Sequence, residues 1–112
     1  MKIKSDRELL ELAAKAAGIK NFSYSDGFRC IAVWNEFGGR ELWSPLKNDG
    51  DKSRLAEELG IKVVRGKHTG DGCTAESEWF DVPSCTSFCE CMNESERRAV
   101  VIVAANIGES MP

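Results

Sequence analysis

One histidine and five cysteines are the residues of this chain whose types could do chemistry. His68, Cys73, Cys85, Cys89 and Cys91 share one stretch, and Cys85-x3-Cys89-x-Cys91 forms a local claw of thiols. Sulfur and imidazole hold zinc tetrahedrally, so these residues could supply a four-ligand site that staples a long loop to the start of a helix. The spacing lacks the C-x2-C pairs of a zinc knuckle, and the plainer reading is a set of small free thiols. The expectation is therefore no cofactor, with zinc as the alternative. A Cys–His nucleophile pair is arithmetically open. However, His68 lies in a loop after basic Arg65 and Lys67, and no catalytic-cysteine signature surrounds any thiol. The sequence predicts a protein that is not an enzyme.

Carboxylates and large aromatics are the other candidates. Asp49, Asp51, Glu57 and Glu58 surround one short predicted helix. They could imitate the phosphate spacing of nucleic acid and occupy a basic groove on a partner; the plainer reading is a solvated helix face with aspartates capping its positive end. Trp34, Trp43, Trp79 and Phe80 fall in predicted strands, where about half of the side chains point outward. Trp34 and Trp79 near strand ends could anchor a partner, since an aromatic ring buries much area at little entropy cost; the plainer reading is that most of these rings belong to the core. Local basic patches at Lys62, Arg65, Lys67 and His68, and at Arg97-Arg98, keep a nucleic-acid-binding regulator open as an alternative. The formal net charge of −3 and a pI near 5.2 give no overall basic field to support it. Gly38-Gly39 is followed by neither Lys-Ser/Thr nor a helix, so it reads as a turn and not a phosphate loop.

The elements that must position these groups follow from capping and periodicity. Ser5-x-x-Glu8 has capping-box spacing before Leu9, Leu12, Ala13 and Ala16, which lie on one helical stripe; a helix is predicted from about Asp6 to Ala17, stopped by Gly18. Residues 21–27 read as a turn. Residues 28–34 and 40–43 read as a hairpin around a loop at 35–39. Pro45 ends that strand, Asn48, Asp49 and Asp51 open a second helix over about 50–59, and Gly60 closes it. A short strand is predicted at 61–64, a loop at 67–77 and a fourth strand at 78–82, ended by Pro83. Asn93-x-x-Glu96 opens a third helix carrying Val100, Val103, Ala104 and Ile107, with Gly108 as its stop and a frayed tail over 109–112.

The predicted order is α-β-β-α-β-β-α. With 112 residues, 42% apolar and 29% charged, this describes a single α+β domain. Its small antiparallel or mixed four-stranded sheet would carry helices on one face. No apolar run approaches the ~20 residues of a membrane span. Met1-Lys-Ile-Lys leads straight into a polar helix start, so no signal peptide is expected. An odd number of cysteines without a secretion signal also argues against a disulfide framework. The expected location is the cytoplasm.

The stretch W-S-P-L-K-N-D-G-D-K-S-R-L-A-E-E-L-G over residues 43–60 resembles the core motif of a family of small proteins encoded by tailed phages and prophages. Members read W-N-P-L-x-D-D-G-D-A-x-R-L before a short helix ending in Leu-Gly. Trp43, Pro45, Leu46, Asp49, Gly50, Asp51, Arg54, Leu55, Ala56 and Leu59-Gly60 match. Ser44, Asn48 and Lys52-Ser53 depart from it. Glu8 to Gly18 is similar to the family's opening helix, and Glu96 to Gly108 to its closing A-x-R-R-A-I-V-x-A-A-A-x-I-G helix. The cysteine-bearing region from Cys73 to Cys91 does not resemble the family and gains no zinc site from it. The resemblance implies a phage accessory protein made inside a bacterial host cell. It would act by binding a host protein, inhibiting or modulating an anti-phage defence system such as a CRISPR effector. Asp49, Asp51, Glu57, Glu58 and Trp79, or the loop from Lys67 to Cys91, are the candidate binding face.

Overall fold

In a computed structural model, the structure describes residues 4–34, 37–67, 71–89 and 91–111. Helix α1 spans Asp6–Ala16, and Ser5 Oγ accepts a hydrogen bond from the Glu8 amide at 3.2 Å, as its capping spacing predicts. Past its end, the Gly18 amide donates to the Lys15 carbonyl and the Ile19 amide to the Ala14 carbonyl, both at 3.1 Å. That paired arrangement stops the helix and satisfies carbonyls that would otherwise be orphaned.

Strands β1 (Phe22–Ser25), β2 (Cys30–Trp34) and β3 (Arg40–Trp43) form an antiparallel sheet in that order. Helix α2 spans Asp49–Leu59, capped by Asn48 Oδ1, which accepts from the Asp51 amide at 2.9 Å. A second antiparallel sheet follows, with β4 (Ile61–Arg65), β5 (Cys73–Ser77) and β6 (Cys85–Ser87) in order. Helix α3, Met92–Ser110, closes the chain. The fold is α+β, in agreement with the sequence. Among the described residues, though, six strands make two three-stranded sheets, not four strands in one sheet.

Three local differences account for this. Residues 22–25, expected in a turn, form β1 because Phe22 and Tyr24 alternate with Ser23 and Ser25 and pack against the core. The expected loop at 67–77 contains β5, whose Cys73 and Ala75 are buried while Thr74 and Glu76 face outward. Residues 78–82, expected as a strand, are a bend, exposed over 78–81 with Val82 packed against the core: the Glu78 amide donates to the Gly60 carbonyl at 2.9 Å and turns the chain over the end of α2.

Helix α3 is the centre of the molecule, with α1, α2 and the second sheet packed around it. Val100, Val101, Val103, Ala104, Ala105 and Ile107 are all buried, so from Ala99 to Gly108 the helix is apolar nearly all round, as the central part of a core helix must be. Gly108 does not stop it. A Cβ there would overlap the Leu12 carbonyl oxygen, and the glycine instead lets α1 and α3 touch through their backbones. Glu109 and Ser110, expected in a frayed tail, belong to the helix; Lys4 pairs with Glu109 at 2.9 Å and Lys15 Nζ donates to the Met111 carbonyl at 3.0 Å. No helix of the described residues is long and apolar enough to cross a membrane.

Candidate functional site

The four carboxylates of the candidate acidic face separate into two kinds. Asp49 accepts a hydrogen bond from Arg97 Nη1 at 2.8 Å, and that bond holds its carboxyl below the usual carboxylate range. Asp51 is only 8% exposed. Its Oδ2 accepts from the Ser44 amide at 2.9 Å and its Oδ1 from Arg54 Nη2 at 2.6 Å. Asp51 thus ties the start of α2 to the end of β3, and both aspartates have structural duties. Glu57 and Glu58 are exposed on the later turns of α2. They remain an open acidic surface.

Trp79 joins them. Its indole lies flat against Gly60, the residue that closes α2 with φ +65°. A Cβ on Gly60 would sit 2.6 Å from Trp79 Cγ and Cε2, so the close approach and the left-handed backbone both require glycine. Ser77 holds the bend by donating to the Leu59 carbonyl at 3.4 Å and accepting from the Phe80 amide at 3.1 Å. Trp79 is still 65% exposed, and Phe80 beside it 40%. Glu78 and Asp81 flank the two rings and are also exposed. The end of α2 therefore carries an exposed aromatic pair, with Glu78 and Asp81 beside it in the chain and Glu57 and Glu58 on the last turn of the helix, none of which has a cation partner among the described residues.

A cleft of about 280 Å³ opens on the neighbouring face of α2. Asp51, Arg54, Leu55 and Glu58 recur at helical spacing along one wall. Val33, Glu41 and Trp43 come from one face of the first sheet, as the Val33↔Glu41 and Ile31↔Trp43 register requires. Ile19, just past α1, completes the apolar floor.

The thiols are placed without a common centre. All five cysteines are free, and among the described residues no group of three or more His, Cys, Asp or Glu side chains is arranged to hold a metal ion. Residues 68–70, His68 among them, lie outside the described residues. Cys73 is buried against α3, and burial pushes its thiol up, with the Glu96 charge adding to the effect. Burial likewise pushes Cys85 up. A buried, protonated thiol is a poor nucleophile. Cys89 lies 3.8 Å from Ser87 Oγ, and Cys91 is exposed just before α3.

The basic patches are largely spent inside the molecule. Arg65 donates to Glu96 and to Asn93 Oδ1, the latter at 2.8 Å, and its guanidinium is held above its ordinary value by the Glu96 hydrogen bond. Arg97 is taken by Asp49 and Arg98 by Asp6, at 3.0 Å. Lys62 faces Glu76 across the β4–β5 ladder.

Asn93 and Glu96, read from the sequence as a cap, lie inside α3, which starts after Cys91 without a side-chain cap; Glu96 instead unites α2, β4 and α3, a role that sequence reasoning missed. Its Oε1 accepts from Lys52 Nζ at 2.8 Å and its Oε2 from Arg65 Nε at 2.9 Å. Burial pushes its carboxyl up, but the hydrogen bonds from Lys52 and Arg65 outweigh that and hold it below the ordinary range. The signal was available: Lys52 lies three residues before Leu55 and seven before Leu59, so a charge stands on the buried stripe of its helix. No protein-family model, curated protein or solved structure matches this chain.

Proposed function

We propose that this protein is a non-enzymatic binding module that docks a basic surface of a host protein onto Trp79, Phe80 and the carboxylates around the end of α2. The observation that carries the reading is the exposed indole of Trp79, fixed on Gly60 at the end of a helix whose last turn carries the exposed Glu57 and Glu58. A rigid ring offers area at small entropic cost, and surrounding charge speeds encounter and selects a basic partner. The resemblance of residues 43–60 and of the two outer helices to tailed-phage proteins gives the partner its class. It is a component of a bacterial anti-phage defence, such as a CRISPR effector, and docking inhibits or modulates it in the host cell.

The test is a plaque assay in a host whose CRISPR defence targets the infecting phage. Expression of the protein should restore plaques, and Trp79→Ala or Glu57→Lys/Glu58→Lys should abolish the rescue while the variants stay folded. Failure of the unsubstituted protein to protect against any defence system, or full rescue by Trp79→Ala, would defeat the reading.

A further inference from the structure

The cleft between α2 and the first sheet has the chemistry of a receptor for a long cationic side chain. Two carboxylates, Glu41 from β3 and Glu58 from α2, stand on opposite walls, both exposed and without a cation partner among the described residues. The third, Asp51, is already satisfied by Arg54 and the Ser44 amide. Between the walls lie Trp43, Val33, Leu55 and Ile19, which offer apolar and aromatic surface, and the one cation of the lining among the described residues, Arg54, is taken by Asp51, so three carboxylates face a single positive charge. An alkyl stem packed on that floor would bring its cationic head between Glu41 and Glu58. Arginine and lysine are built this way, with an apolar stem and a charged tip. An aromatic wall adds attraction for a guanidinium.

We infer that this cleft takes an arginine or lysine side chain of the docked partner. The inference rests on the protein-docking reading, and Glu58 belongs to both, as a carboxylate of the last turn of α2 and as a wall of the cleft. Trp79 would then supply buried area, and the cleft would supply selection for a basic residue at one position of the partner.

The probes are N-acetyl-arginine amide, its lysine counterpart, and N-acetyl-citrulline amide, which matches the arginine shape without the charge. Binding to the intact protein is followed by amide chemical shifts and by Trp43 fluorescence in a Trp34→Phe/Trp79→Phe background. The arginine or lysine probe should move the resonances of Ile19, Val33 and Leu55 and bind at least tenfold more tightly than citrulline. Glu41→Gln/Glu58→Gln should remove that preference without changing the unfolding temperature by more than a degree or two. Equal binding of citrulline, or shifts confined to other parts of the molecule, would overturn the inference. Trp79→Ala separates the two readings. If it abolishes docking of the protein partner while probe binding fails in the unsubstituted chain, docking stands and the cleft inference falls. If the probe binds with charge preference in Trp79→Ala, the cleft inference stands by itself.

Discussion

Glu96 on α3 accepts a hydrogen bond from Lys52 on α2 at 2.8 Å, where both side chains are nearly closed off from water. Arg65 reaches the other carboxylate oxygen from β4, so one charge joins three elements. A buried pair of this sort adds little over an apolar pair of the same shape, but breaking it strands the remaining charge. Glu96→Gln should cost about 3 kcal/mol, read by urea denaturation, and Lys52→Met/Glu96→Met should cost less than Glu96→Gln alone.

The same carboxylate sets a pH limit. Its folded-state value lies below the ordinary 4.5, so the group binds protons more weakly in the folded chain. Its contribution to stability is fully present above about pH 4.5 and is lost as pH falls through the lowered value. Asp49, lowered by Arg97, acts in the same direction. Unfolding curves from pH 6 to pH 2.5 should show stability falling with acidification, with a shallower fall in Glu96→Gln.

Gly108 tests which of two effects wins inside α3. Alanine at an internal helix position gains roughly 1 kcal/mol over glycine from propensity. Here its Cβ would overlap the Leu12 carbonyl oxygen and lie 2.9 Å from the carbonyl carbon, and backbone cannot turn aside as a side chain can. Overpacking of that kind costs about 1–3 kcal/mol. Gly108→Ala should lower the melting temperature despite its better propensity, and Gly108→Leu should prevent folding.

Local signals were legible in the sequence and partnering was not. Ser5, Asn48 and Gly60 cap their helices as expected because a cap depends on residues within one turn. The β5 strand was hidden: Thr74 and Glu76 read as polar loop residues, and the burial of Cys73 and Ala75 between them depends on α3, which comes later in the chain. E-W-F-D-V at 78–82 carries strand-forming residues, yet the contact of Trp79 with Gly60 turns it into a bend. Asp49 read as a solvated or partner-facing charge because its cation, Arg97, is 48 residues away. The exposed end of the site, Glu57, Glu58 and Trp79, was named in advance, but nothing local placed Trp79 on α2.

Arg29 offers a stabilising change. It holds φ +52°, left-handed backbone that costs an L-residue roughly 1–2 kcal/mol, and its side chain has no partner among the described residues. Glycine removes that strain but gains about 0.4–1 kcal/mol of freedom in the unfolded chain. Arg29→Gly should therefore raise stability by about 0.5–1 kcal/mol, while Arg29→Ala, which keeps the strain, should leave it nearly unchanged.

The thiols should react in order of exposure. Ellman's reagent under native conditions should modify Cys91 first, with Cys85 and Cys89 slower, and Cys30 and Cys73 only on unfolding. Burial holds the Cys73 thiol protonated as well as covered. The metal-free reading predicts that a chelator leaves both the melting temperature and this order unchanged; zinc that protected Cys85, Cys89 and Cys91 together would favour the metal-binding alternative.

Gly60 and Trp79 separate stability from binding. Gly60→Ala forces a left-handed backbone on an L-residue, about 1 kcal/mol or more, and places a methyl group where the indole now lies. The ring must leave the end of α2, so its fluorescence, isolated in a Trp34→Phe/Trp43→Phe background, should shift toward the red. Trp79→Ala removes a side chain that is mostly exposed and should alter stability by less than about 1 kcal/mol. Both variants should nevertheless weaken the protein partner by tenfold or more, because one displaces the anchor and the other deletes it. Retention of full affinity by Gly60→Ala, with the indole demonstrably displaced, would remove Trp79 from the docking surface.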